Sequence, residues 1–303
     1  MRHPIRYHLE YVIARFFWAL FASLPVSAAS FFGGALASVA GRLPPLARRV
    51  DKNLNLAMAE LTQAQRRKIA SGVWWNLGRT LAELPHIRQF SLTHDSPNSG
   101  EIQVVGAEHI DGREGMLLFA AHLANWEMTY FVTSKLGRPV HVVYRAPNNP
   151  LIDRWLSNLR QDFTLGAYAK GRTAARGILT ALDQGHAVGM LVDQKMNDGI
   201  VVPFFGRPAM TAPALAQLAL RRNLAIIPMR CERLTGASFR VTLEKPLIYG
   251  DTGRRKADVI ALMGQVNDMI EAWIRERPEQ WLWPHKRWPN GDQATPLNEA
   301  VDR

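Results

Sequence analysis

A histidine delivered by an apolar run, with a glutamate five positions later, is the part of this sequence best equipped to do chemistry. The stretch reads Met116-Leu-Leu-Phe-Ala-Ala-His122-Leu-Ala-Asn-Trp-Glu127. An imidazole there can serve as general base, and a nearby carboxylate can orient it. Residues five apart on an unbroken helix lie about 140° apart around it and do not face each other. We therefore expect His122 in a strand-to-helix loop and Glu127 on the first turn of the next helix, reaching back to the ring. Asn125, between them, is placed to cap or line the same pocket. Open α/β sheets put their chemistry at such carboxyl ends of strands.

Three more clusters fall at predicted strand ends. In Val143-Tyr-Arg145, a strand closes on an arginine that can hold a phosphate or carboxylate. In Leu191-Val-Asp193, an apolar strand delivers an acid, followed by a loop that ends in Phe204-Phe205. Lys170-Gly-Arg172 precedes a helix start, where basic groups and free amides favour an anion. No Walker loop and no glycine fingerprint of a nucleotide site is present. His122, Glu127, His186 and Asp193 could converge on a metal, but their spacing matches no zinc motif. A serine hydrolase would carry its nucleophile at a sharp strand-to-helix turn, where this chain has His122. A base without an enzyme nucleophile implies direct transfer, with an incoming hydroxyl attacking an activated acyl group.

Strands and helices must alternate to hold these residues. Strands are expected at 102–105, 116–120, 140–144, 187–192, 225–229 and 239–243, with helices near 125–135, 150–162, 172–184, 211–222 and 256–276. Such alternation predicts an α/β fold with a mostly parallel central sheet flanked by helices. Residues 51–90 read as helical, and the tail after Trp288 reads as loop. The single cysteine, Cys231, excludes an internal disulfide and reads as core. A net charge of +11 predicts attraction to something acidic. Lysines and arginines are scattered, with short runs such as Arg221-Arg222 and Arg254-Arg-Lys256, which argues against a nucleic-acid-binding protein.

From Phe16 to Gly41 no residue is charged. Pro25 and Gly33-Gly34 interrupt the run, and arginines or lysines flank both ends (Arg2, Arg6, Arg15; Arg42, Arg48, Arg49, Lys52). The expected organisation is an N-terminal apolar, membrane-associated helical segment (1–45), an α/β domain (46–288) and a C-terminal tail (289–303). A segment lying in one leaflet suits the symmetric flanks better than a clean crossing. A buried helical hairpin and a cleaved signal peptide are the alternatives.

The His122–Glu127 spacing resembles the His-four-any-Asp/Glu motif of glycerolipid and lysophospholipid acyltransferases. Over residues 8–288 the chain resembles one branch closely, the late acyltransferases of lipid A biosynthesis in Gram-negative bacteria, of the lauroyl/myristoyl type. The matching blocks are Asn53-Leu-Asn-Leu56, Asn76-Leu-Gly-Arg-Thr-Leu-Ala-Glu83, Ala121-His-Leu-Ala-Asn-Trp-Glu127 and Tyr144-Arg-Ala-Pro-Asn-Asn-Pro150. Asp193-Gln194, Val202-Pro-Phe-Phe-Gly206 and Pro278-Glu-Gln-Trp-Leu-Trp-Pro-His-Lys-Arg-Trp288 complete the set, with Pro284 departing from the usual pattern.

The resemblance implies a glycerolipid-acyltransferase-like fold. It also implies transfer of an acyl chain from acyl-carrier protein to a hydroxyl of a phosphorylated, sugar-bearing lipid A precursor. The reaction would run at the cytoplasmic face of the inner membrane, without a metal or other cofactor. His122 is then the base and Glu127 its partner. Arg145, Arg172 and backbone amides near Asn125 are the candidate oxyanion donors, and Asp193 lines the pocket. The same chemistry on a lysophospholipid, an ornithine lipid or a glycosylated phosphoinositide is the nearest rival.

Overall fold

The computed structural model describes residues 4–144, 146–169 and 172–288. The predicted C-terminal tail (289–303) lies outside them. Four helices lead the chain: α1 (Pro4–Ala22), α2 (Val26–Ala40), α3 (Pro44–Ala57) and α4 (Gln63–Glu83). Pro25 separates α1 from α2, since it cannot continue a hydrogen-bonded turn. A capping box starts α4: the Gln65 amide donates to Thr62 Oγ1 at 3.3 Å, and the Thr62 amide donates back to Gln65 Oε1 at 2.8 Å.

The rest alternates strand and helix. β1 (Ser91–Thr93), β2 (Glu101–Val105) and β3 (Leu117–Ala120) precede α5 (Glu127–Lys135). Next come β4 (Val140–Tyr144), α6 (Pro150–Arg160), β5 (Thr164–Ala169), α7 (Arg172–Asp183) and β6 (Ala187–Leu191). A hairpin of β7 (Ile200–Phe204) and β8 (Arg207–Thr211) leads into α8 (Ala214–Arg222). β9 (Ile226–Arg233), β10 (Phe239–Leu243) and α9 (Arg255–Glu276) complete the series.

Eight strands form one sheet in the order β1-β2-β10-β9-β3-β6-β4-β5. Every neighbouring pair is parallel except β9 with β10. The α/β, mostly parallel reading is therefore correct. The central strands are buried on both faces, which explains the unbroken apolar run in β3 and the burial of all eight residues of β9, Arg230, Glu232 and Arg233 included. Leu117 and Phe119 pack on one side with Leu215, Ile270 and Trp273, while Leu118 and Ala120 pack on the other with Met128 and Phe131.

The sequence reading misses β1, β5 and the β7–β8 hairpin. In β5, Gly166 lacks strand propensity, but its bare Cα accommodates the His141 ring: a Cβ there would lie 3.0 Å from Nδ1. The hairpin turns through Phe205 (φ 51°) and Gly206 (φ 65°). Two positive φ values suit the twist of a two-residue hairpin, but phenylalanine is not a residue that announces one.

Helix α2 lies against α4 at a pair of glycines. A Cβ on Gly33 would fall 2.4 Å from the Ala82 Cβ, and one on Gly78 would fall 2.1 Å from the Gly33 carbonyl oxygen. Only bare backbones approach so closely. Outward, α1 shows Ile5, Leu9, Val12, Ile13, Phe16 and Leu20, and α2 shows Phe31, Phe32, Leu36 and Val39. Among the described residues, no single helix is long and apolar enough to cross a membrane. The pair α2–α3 passes that test only together, and it is bent by 94°.

Candidate active site

Register builds the site. β3 and β6 run parallel with Ala120 paired to Leu191, so His122 and Asp193 each stand two residues past the last rung of adjacent strands. The His122 ring meets the Asp193 carboxylate at 2.7 Å (Nδ1 to Oδ1), and the His122 amide donates to Oδ2 at 2.8 Å. Trp281 Nε1 donates to the same Oδ2 at 2.7 Å. Burial alone would push the Asp193 carboxyl up. The His122 charge, the two His122 hydrogen bonds and the Trp281 indole outweigh it, holding the group down to about 2. An ionised acceptor at Nδ1 places the ring proton there and leaves the Nε2 lone pair free to act as base. The Gln194 amide sits 3.3 Å from Nε2, and against a lone pair it must present its NH₂.

Glu127 begins α5, as its spacing predicts, but the expected contact with His122 is not made. Its buried carboxylate is gripped by Arg160 at the end of α6, with Nε donating at 3.0 Å and a second N–H closing the fork. Burial disfavours the Arg160 charge, yet Glu127 more than compensates and raises it above its ordinary value. The guanidinium also lies 5.2 Å from the centre of the Tyr144 ring. Burial, and then the Glu127 charge, push up the enclosed phenol of Tyr130 on α5.

Two residues expected at the substrate are hydrogen-bonded within the protein. Asp193 is 1% exposed, and its carboxylate is held by His122 and Trp281. Asn125 is fully enclosed; its Nδ2 donates to Glu83 Oε2 at 3.1 Å. Arg145 and Lys170 lie outside the described residues. Arg172 opens α7, and its side chain lies outside them too. All three follow the ends of β4 or β5 in sequence. His186 pairs with His141 at 3.2 Å, near the starts of β4 and β6, and so is not drawn toward His122. Cys231 is core: it donates to the Asn125 carbonyl at 3.3 Å, and burial pushes its thiol up to about 12.

The chain beyond α9 is hydrogen-bonded to the His122 loop. The Leu282 amide donates to the His122 carbonyl at 3.2 Å and the Ala124 amide to the Gln280 carbonyl at 2.9 Å, so Trp281 forms an isolated antiparallel bridge with Leu123 of the loop. Asn53 Nδ2 in turn donates to the Trp283 carbonyl at 2.7 Å and to that of His285 at 2.8 Å. Sequence reasoning missed Gln194, Trp281 and Arg160 as site residues. Gln194 and Trp281 stood within the matching blocks, but only strand pairing shows what they touch.

Fold and site together define an α/β enzyme that presents a carboxylate-oriented histidine at a strand edge. A family profile described as bacterial lipid A biosynthesis acyltransferase matches residues 1–290. The chain belongs to that family. It is 26% identical to the lipid A biosynthesis lauroyltransferase of Escherichia coli (strain K12), over 97% of this chain and 95% of that one. It is equally similar, at 26%, to the palmitoleoyltransferase of the same organism, over 98% and 95%. A lipid A biosynthesis acyltransferase of Haemophilus influenzae is 22% identical over 88% and 84%.

Proposed function

We propose that this chain moves a fatty acyl group from the thioester of acyl-carrier protein to a hydroxyl on a phosphorylated, sugar-bearing lipid A precursor. The observation that carries the reading is the His122 ring: Nδ1 is committed to Asp193, and Nε2 faces an amide rather than a serine or cysteine. With no enzyme nucleophile at that nitrogen, the acceptor hydroxyl itself must be the attacking group. Its proton passes to Nε2 as its oxygen adds to the thioester carbonyl. The imidazolium that forms is stabilised by Asp193, and it returns the proton to the departing thiolate as the tetrahedral intermediate collapses. Ester and free carrier thiol result, and the base is regenerated without a metal.

Glu127 acts through Arg160, fixing a guanidinium beside the site. Arg145, Lys170 and Arg172 supply cationic groups for substrate phosphates and for the oxyanion. The net charge of +11 suits an acidic carrier protein and an anionic glycolipid together. The exposed faces of α1 and α2 enter one leaflet of the cytoplasmic side of the inner membrane, where the acceptor resides. Replacing Phe31 and Phe32 with serine should release the protein from anionic vesicles in a flotation assay; unchanged flotation would contradict insertion.

The reaction is tested in detergent with carrier protein loaded with acyl chains of several lengths and a tetra-acylated, Kdo-bearing precursor, read by mass spectrometry. One added acyl chain, absent with His122→Ala, is expected. Acylation of a lysophospholipid alone would keep the chemistry and reassign the acceptor.

A further inference from the structure

Beneath the His122 loop lies a fully enclosed ionic network that the proton relay does not use. Glu83, the last residue of α4, is 0% exposed and pairs with Arg233 at the end of β9, itself 4% exposed. The same carboxylate accepts from Ser30 Oγ of α2 at 2.6 Å and from Asn125 Nδ2 at 3.1 Å. One side chain therefore touches the N-terminal helices and the catalytic loop at once. The loop needs such support, because Ala124 sits at φ 50°, where a residue with a Cβ is strained. Its carbonyl is held by the Thr80 hydroxyl at 2.8 Å, one turn before Glu83 on the same helix.

An apolar pair in place of both Glu83 and Arg233 could hold the helices together at least as well, since a buried ion pair recovers little more than its desolvation cost. What it could not do is receive the Asn125 amide in a fixed direction. Ser30 faces Glu83, while the next two residues, Phe31 and Phe32, are 56% and 55% exposed on the outer surface. The contact that reaches the loop is thus one residue from the surface assigned above to lipid.

We infer that Glu83 is a positioning residue for the catalytic loop, and that the Ser30–Glu83–Asn125 chain couples docking of the N-terminal helices to the placement of His122. The inference rests on the reading of His122 as the base. Its first readout, however, is independent of activity.

Hydrogen exchange of the full chain in detergent micelles is followed for the peptide spanning 121–128, with the peptide spanning 140–144 as reference. In Ser30→Ala, and more strongly in Glu83→Gln, exchange at 121–128 should rise about tenfold while 140–144 is unchanged, as for a lost hydrogen bond to a charged group. Turnover by Ser30→Ala should fall by about three- to tenfold with KM unchanged, and Ser30→Thr, which keeps the hydroxyl, should restore both readouts. Unchanged exchange at 121–128, or a proportional rise in both peptides, would overturn the coupling. Should Glu83→Gln fail to fold, the Ser30 pair decides alone. If the wild-type protein transfers no acyl chain, the reading of the base fails, while the exchange data still judge the coupling.

Discussion

Two carboxylates compete for the role of partner to His122, and the nearer one in sequence is not the one that holds it. Glu127 is five residues away, on the first turn of α5, and is locked to Arg160. Asp193 is 71 residues away, just past the end of β6, and closes the hydrogen bond to Nδ1. In a parallel sheet, residues at equal distances past a shared rung become neighbours whatever lies between them in the chain. A helix start, by contrast, points its first side chains along its own axis and toward the elements packed on it. The strand edge fixes the base, and the helix start fixes a cation beside it.

Substitutions separate these two roles, with the largest effect at the shared ring. His122→Ala should lower single-turnover transfer by about 10⁴-fold, the upper end for a general base. Asp193→Asn should cost about 10³-fold with the fold retained, because the amide favours the wrong tautomer and cannot stabilise the imidazolium. Glu127→Ala should cost about 10²-fold by releasing Arg160, so Glu127→Ala and Arg160→Ala should be far from additive. Additivity of that pair would separate Glu127 from the guanidinium and return it to the imidazole.

Stability sharpens the comparison further. Asp193 is held down to about 2, against a value near 4 in an unfolded chain. Its contribution is therefore complete above about pH 4 and is lost as pH falls toward about 2. The gap in urea unfolding between the wild type and Asp193→Asn should be widest near neutrality and close across that window; a gap independent of pH would contradict the ionised pairing. The smallest expected effect is at Cys231: with its thiol pushed up to about 12 by burial, it should resist thiol reagents in the folded protein at pH 8 and react on unfolding.

Much of this was legible in the sequence, and the rest was not for physical reasons. Apolar runs announced β3, β6 and the first half of β9 because the central strands are covered on both faces, while β10 showed itself by alternation. His122 and Asp193 were both visible as polar residues at strand ends. Their partnership was not, because it depends on β3 and β6 being neighbours, which no local pattern encodes. The resemblance marked Asn53, Asn76 and Trp281 without saying what they do. Asn53 anchors the C-terminal segment, Asn76 donates to the carbonyls of Ala124 and Gln280 at 3.4 and 3.2 Å, and Trp281 completes the Asp193 cage. The spacing of Glu127 was read correctly as a helix start, but the competing partner on α6 lay 33 residues ahead.

The most direct test of the central claim is the tautomer of His122, read by nitrogen NMR of histidine-labelled protein in detergent, with the signal assigned by its loss in His122→Ala. The account predicts that neutral His122 carries its proton on Nδ1, that Glu127→Gln leaves this unchanged, and that Asp193→Asn shifts the proton toward Nε2. A tautomer that responds to Glu127→Gln and ignores Asp193→Asn would contradict it.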